Sequence, residues 1–284
     1  EDTAELLLEH ELDALKTEHL PDLKSSAAAL GVDIGGELDR RTLPSRIGRY
    51  EILRELGRGG MGLVYAARDV ELGREVALKV IRGALDTADI DRFRREARLM
   101  AGLHHPRIVS VFDVGEDEAS PYIVMNLVPG SSLASRTLPR REGGALLKSI
   151  AEAVQYAHDC GVLHRDIKPE NILVDGDGRG YITDFGLARP LQGAGPATLS
   201  GAVVGTPGYM SPEQARGETS KLDGRTDVWG LGATLYHILT GHPPFVGATA
   251  FETVQKVLDE DPRRPRRIDP TIPPDLEAIC LKAL

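Results

Sequence analysis

The run His-Arg-Asp-Ile-Lys-Pro-Glu-Asn at 164–171, followed by Asp-Phe-Gly at 184–186, gathers two carboxylates, an amide and a lysine. Asp166 can accept the proton of a substrate hydroxyl, and Lys168 can neutralise charge on a transferred phosphoryl group. Asn171 and Asp184 offer hard oxygen atoms of the kind magnesium takes. Phosphoryl transfer is therefore the chemistry this set could perform. Ile172 to Val174 and Tyr181 to Ile182 are apolar and would hold the polar residues on short strands. A polar loop with turns at Asp175 and Asp177 would explain one such cluster but not both together.

Upstream, Gly57, Gly59 and Gly62 with Val64 spell G-x-G-x-x-G-x-V. Glycines at that spacing let backbone amides approach phosphate oxygens where a Cβ would intervene. Strand-like sequence on both sides, with no helix directly after, argues against a dinucleotide fold. Taken alone, an ordinary glycine-rich hairpin fits as well. Lys79 follows 17 residues after Gly62 in Val-Ala-Leu-Lys-Val, between apolar neighbours that include Ala77 and Val80. A lysine there needs an anionic partner or solvent. Phosphate and the carboxylate of Glu96 would serve; a surface pair of Glu96 with Arg92 is the competing reading.

The elements that must position these groups follow from hydrophobic patterning. Stretches 50–56, 62–69, 74–81, 109–114 and 122–127 read as strands, and 88–102 as a helix with Phe93, Ala97 and Met100 on one face. After Pro129 and Gly130 helical signals dominate: Leu146, Leu147, Ile150, Val154 and Ala157 stripe one helix, and Val228 to Leu239 is a second, apolar one. The fold class expected is α+β with two lobes, a mainly antiparallel sheet carrying one helix and a larger helical part. The boundaries expected are a helical extension at 1–30, a linker at 31–48, a first lobe at 49–128 and a second at 129–284. A Gly, Ala, Ser and Thr-rich segment at 190–202 reads as a mobile loop.

With 284 residues, 41% hydrophobic content and only Cys160 and Cys280, the chain needs neither disulfides nor a structural metal. Reduced cysteines point to the cytoplasm. A net charge of -9 argues against a general nucleic-acid surface, and the arginines at 263, 264, 266 and 267 read as a solvated loop. No stretch reaches the roughly 20 apolar residues of a membrane span. A start at Glu1 and helical sequence running to Leu284 suggest a piece of a longer protein.

Together these motifs resemble the eukaryotic-like, or Hanks-type, serine/threonine protein kinases, most closely their bacterial branch, over about 50–284. The resemblance implies ATP-dependent transfer of the γ-phosphate to serine or threonine hydroxyls of proteins, as a non-specific serine/threonine protein kinase. ATP would bind with Mg2+, Mn2+ being an alternative. Gly57, Gly59, Gly62, Val64 and Ala77 would cover the nucleotide, and Lys79 paired with Glu96 would orient its phosphates. Met125 stands at the gatekeeper position, and the backbones of Asn126 and Val128 would meet adenine. Most relatives carry Glu where Asn126 stands, which changes charge more than a backbone contact.

In the same family Asp166 is the base, Lys168 meets the γ-phosphate, and Asn171 and Asp184 hold the metals. Phe185 packs under the helix of Glu96, and Asp227 braces the catalytic loop. Thr206 and Glu213, in Gly-Thr-Pro-Gly-Tyr-Met and Ser-Pro-Glu, correspond to the substrate platform; Ser211 replaces the usual Ala, and the arginine that normally pairs with Glu213 would fall beyond Leu284. Arg165 beside the base implies control by phosphorylation of Thr198 or Ser200, within a transient homodimer. Partners would be protein substrates, with no nucleic acid and no membrane contact in this stretch, although such domains often continue into a membrane helix. The alternative is a pseudokinase or ATP-binding scaffold, whose marks would be a lost base, metal ligand or lysine.

Overall fold

The computed structural model describes residues 43–59, 62–81, 87–117, 120–185 and 206–284. The expected helices of 1–30, the segment 190–202, Thr198 and Ser200 lie outside the described residues.

The first lobe is a six-stranded antiparallel sheet in the order β1-β2-β3-β4-β6-β5. Its strands are β1 (Arg46–Ile47), β2 (Tyr50–Gly59), β3 (Gly62–Asp69), β4 (Arg74–Ile81), β5 (Val111–Asp117) and β6 (Ser120–Asn126). Helix α1 (Thr87–Ala101) lies between β4 and β5 in sequence, with Phe93, Ala97 and Met100 buried as the pattern predicts. Two strand limits differ from the sequence reading. Arg46 and Ile47, placed in the linker, pair with Glu51 and Tyr50; a two-residue strand carries no alternation to read. The strand expected from 109 begins at Val111, because Val109 donates to the Ile182 carbonyl (2.9 Å) and Ile182 to the Arg107 carbonyl (2.8 Å). Those residues thus tie the first sheet to the strand that leads into Asp184.

The second lobe contains the small sheet β7 (Gly130–Ser132), β8 (Ile172–Asp175) and β9 (Gly180–Ile182), in that order. Around it run α2 (Arg140–Asp159), α3 (Pro212–Ala215), α4 (Gly224–Thr240), α5 (Ala250–Asp259), α6 (Pro265–Ile268) and α7 (Pro274–Ala283). The apolar stripe of α2 is buried, from Leu146 to Ala157. Helix α4 packs on it, and Gly143 of α2 leaves room for Ile238. Asp223 caps α4 by accepting from the Arg225 N–H (2.9 Å), and Gly241, at φ 86°, ends it in the left-handed conformation that glycine adopts without strain. The arginines at 263, 264, 266 and 267 are exposed.

Candidate active site

The sheet sets the first group of site residues by register. Gly57 pairs with Val64, Val64 with Lys79, Ala77 with Met125 and Lys79 with Ile123. Lys79 and Ala77, two residues apart, share one face of β4. Lys79 is 7% exposed, so its ammonium needs a counter-charge, and Asp184 supplies it at 2.7 Å. The half-buried Glu96 side chain sits on α1, one turn before Met100. Met125 is buried and accepts a 3.8 Å contact from the Thr183 hydroxyl. The Asn126 N–H donates to the Ser110 carbonyl at 2.9 Å.

The two glycines flanking the loop differ in what an added side chain would meet. A Cβ at Gly62 would overlap the Val80 carbonyl oxygen, whereas one at Gly57 would meet nothing within 4 Å. Gly62→Ala is expected to cost about 1–3 kcal/mol of stability through overpacking. Gly57→Ala is expected to shift stability by no more than about 0.5 kcal/mol and to raise the KM for ATP. Thermal melting and steady-state kinetics on both variants separate these effects.

In the catalytic loop, Asn171 Nδ2 donates to the Asp166 backbone carbonyl (2.7 Å) and to its Oδ2 (2.9 Å). With both amide hydrogens used, Asn171 Oδ1 is left as a metal-type ligand. Lys168 Nζ lies 3.0 Å from Asp166 Oδ1 and 2.8 Å from Oδ2. The carboxylate is thereby fixed between an amide and an ammonium. Among the described residues no cluster of three or more His, Cys, Asp or Glu could hold a metal by itself. Asn171 and Asp184 fit magnesium only as partial ligands completed by phosphate oxygens, its usual mode of binding in such sites.

Residues 50–279 match the protein kinase domain family. The chain belongs to that family. It is 44% identical over 255 residues to a Streptomyces coelicolor protein named a probable serine/threonine-protein kinase, covering 85% of this chain and 37% of that one. It is 42% identical over 254 residues to serine/threonine-protein kinase PknB of Mycobacterium leprae, covering 86% and 40% respectively. The crystal structure of the Mycobacterium tuberculosis PknI kinase domain superposes with a TM-score of 0.66 at 29% identity, over 86% of this chain and 91% of that one. The chain thus spans about two fifths of the length of these curated relatives. The two-lobed α+β architecture is that of the protein kinase fold.

The kinase domain anchors its catalytic loop from below. Asp227, 1% exposed in the first turn of α4, accepts from the Arg165 N–H (2.6 Å) and the His164 N–H (2.8 Å). Its Oδ2 also lies 2.7 Å from His158 Nε2. Gln214 of α3 donates to the Arg165 carbonyl at 2.6 Å. Among the described non-glycine residues, Arg165 (φ 66°) and Asp184 (φ 65°) have positive φ. Such backbone costs about 1–3 kcal/mol per residue and persists only where its surroundings enforce it. Arg165 Nε is buried without a hydrogen-bond partner among the described residues.

His158 and Gln214 were absent from the sequence reading, and Ser211 does more there than fill the place of an alanine. Ser211 and Gln214 form a capping box on α3: Gln214 N–H donates to Ser211 Oγ, and Ser211 N–H to Gln214 Oε1. The S-x-x-Q spacing was the available signal; a lone histidine at the end of α2 offered none. Glu213 accepts from the Thr226 hydroxyl at 2.6 Å. Thr206 is exposed and opens the 207–209 turn.

Fully buried His164 donates from Nε2 to the Thr183 carbonyl (2.9 Å), since its Nδ1 accepts the Asp166 N–H (3.2 Å). Its ring leans on Phe185, with centroids 4.5 Å apart. Phe185 and Met100 of α1 line one small cavity with Met125. Burial lowers the His164 pKa, outweighing nearby Asp227 and Asp166. The ring therefore stays neutral in the fold and protonates in the unfolded chain below about pH 6.5. Because the unfolded state then binds more protons, stability is level above that pH and falls as pH drops through it, by about 1.4 kcal/mol per pH unit. Denaturant titrations of wild type and His164→Asn between about pH 5 and 7 are expected to show this slope reduced in the variant.

Proposed function

We propose that the chain transfers the γ-phosphate of ATP to serine or threonine hydroxyls of proteins. The observation that carries this reading is the fixed Asp166 carboxylate, held by Lys168 and Asn171. In the reaction the hydroxyl oxygen bonds to the γ-phosphorus, the bond to the β–γ bridging oxygen breaks, ADP leaves, and Asp166 takes the hydroxyl proton. Lys168, already beside Asp166, neutralises charge on the transferred group. Asn171 Oδ1 and Asp184 hold the divalent metal, Mg2+ or Mn2+, which when bound offsets phosphate charge. Lys79 exchanges part of its contact with Asp184 for phosphate oxygens, with Glu96 as its second carboxylate.

The remaining assignments belong to the same proposal. Gly57, Gly59, Gly62, Val64 and Ala77 roof the nucleotide, Met125 limits its depth, and the Asn126 carbonyl and Val128 N–H meet adenine. Thr206 and Glu213 shape the platform for the acceptor. Arg165 receives a phosphate placed on Thr198 or Ser200 by a second copy of the chain; its buried Nε without a partner among the described residues supports this. The first lobe is taken as 49–128 and the second as 129–284, working in the cytoplasm. No helix among the described residues is long and apolar enough to cross a membrane.

Incubation with a protein acceptor, Mg2+ and γ-labelled ATP tests the function. Label recovered as phosphoserine and phosphothreonine, and abolished by EDTA, is expected. Binding of ATP with no label transferred would favour an ATP-binding scaffold instead.

A further inference from the structure

The side chain of Gln214 works at both ends of its amide. Its Oε1 accepts from the Ser211 N–H (3.0 Å), and its Nε2 donates to the Arg165 carbonyl (2.6 Å). A reversed amide would set its NH2 against an N–H and its oxygen against a carbonyl oxygen, so the two partners fix the orientation. The first contact belongs to the capping box of α3, a place where Glu serves as well as Gln. The second needs a donor, which an ionised Glu lacks. Capping the helix therefore accounts for the oxygen of this residue, and the catalytic loop accounts for its nitrogen.

The carbonyl that Gln214 holds belongs to the peptide unit leading into Asp166. That unit is planar, so the carbonyl and the Asp166 N–H turn together. The N–H donates to His164 Nδ1 at 3.2 Å, a longer contact than the 2.6 Å bond at the opposite end of the same unit. On the near side, Arg165 has φ 66° and is held at its own N–H by Asp227 at 2.6 Å. Lys168 and Asn171, which grip the Asp166 carboxylate, lie in the same loop and move with it. They cannot fix its place relative to the rest of the lobe.

Helix α3 is itself fixed to α4, because Glu213 accepts from the Thr226 hydroxyl at 2.6 Å. Thr226 precedes Asp227 in the first turn of α4. The N–H of Arg165 is thus referred to α4 through Asp227, and its carbonyl through Gln214, Glu213 and Thr226. Both ends of the left-handed residue hang from one helical turn.

We propose that Gln214 is a positioning residue for phosphoryl transfer: its amide sets the peptide plane before Asp166, and so the line along which the carboxylate meets the acceptor hydroxyl. The assignment deepens, and rests on, the reading of Asp166 as the base. It separates Gln214 from Asp227, whose loss strands three buried partners. The Gln214 bond to Arg165 is only partly buried, so water replaces a lost donor there at small cost in stability. What water does not replace is the fixed direction of the bond.

Gln214→Glu keeps the capping acceptor and loses the donor, and Gln214→Met loses the donor without adding charge. Each is expected to lower kcat about tenfold to a hundredfold, with the KM for ATP within about twofold of wild type. Rates are referred to the concentration of ATP-binding sites, titrated with a fluorescent nucleotide, so that unfolded chains are not counted. In an Asp166→Asn background, with no base left to misplace, the same substitutions are expected to change the residual rate by less than about twofold. Thr249→Ala removes the hydroxyl that caps α5 by accepting from the Glu252 N–H (3.1 Å); it shows how far loss of a helix cap alone moves kcat, and a change within about twofold is expected. An equal fall in both backgrounds would make Gln214 a residue of general stability, and an unchanged kcat in both single variants would remove it from the reaction; either result overturns the assignment. A wild-type rate in Asp166→Asn alone would overturn the reading of the base, and the positioning role with it.

Discussion

Asn in place of Asp166 is expected to lower kcat by about 10²–10⁴-fold, the usual contribution of a positioned general base. The substitution keeps the side chain's shape, and Asn171 still has the Asp166-position carbonyl and side-chain oxygen to donate to. What disappears is the carboxylate proposed to take the hydroxyl proton, together with the ion pair that holds Lys168 nearby. If Asp166 acts on the acceptor hydroxyl as proposed, the KM for ATP is expected to stay within about twofold while kcat collapses, as for an interaction made only in the transition state. Steady-state kinetics with saturating acceptor measure the split. An equal fall in ATP affinity would mean that residue 166 belongs to the nucleotide site instead.

Asp227→Ala is expected to damage stability and rate together. Removing the carboxylate leaves the N–H groups of His164 and Arg165 and the ring of His158 without their acceptor in a buried place. Stranding partners in this way costs about 3–5 kcal/mol. The left-handed backbone of Arg165 loses one of its two restraints, the other being Gln214. A displacement of about 1 Å at Asp166 is enough to reduce kcat about a hundredfold. Asp227→Asn should fall between wild type and Ala, since an amide has one acceptor oxygen and turns its NH2 toward another donor. Urea denaturation and kcat on both variants check the order.

The legible part of the site consists of residues that look out of place locally. Lys79 in an apolar strand, and the carboxylates and amide of 164–171 and 184, announce chemistry because isolated charge among apolar neighbours needs a reason. Alternating or apolar runs also located β2, β3, β4 and β6, shared apolar faces located α1 and α2, and an apolar run located α4. The hidden part depends on contacts across distance. His158 meets Asp227 over 69 positions and Gln214 meets Arg165 over 49, and no periodicity encodes either. Gly62 shows a different limit: its sequence context suggests access for phosphate, while the structure requires it to clear the Val80 carbonyl.

Intact-mass spectrometry of the purified chain before and after incubation with Mg2+ and ATP, with site mapping and with Asp166→Asn alongside, tests the central claim most directly. The account predicts added phosphate on serine or threonine, including Thr198 or Ser200, and none on the variant. The same phosphate on both proteins, or none on either while Mg2+ and ATP still raise the melting temperature, would contradict it.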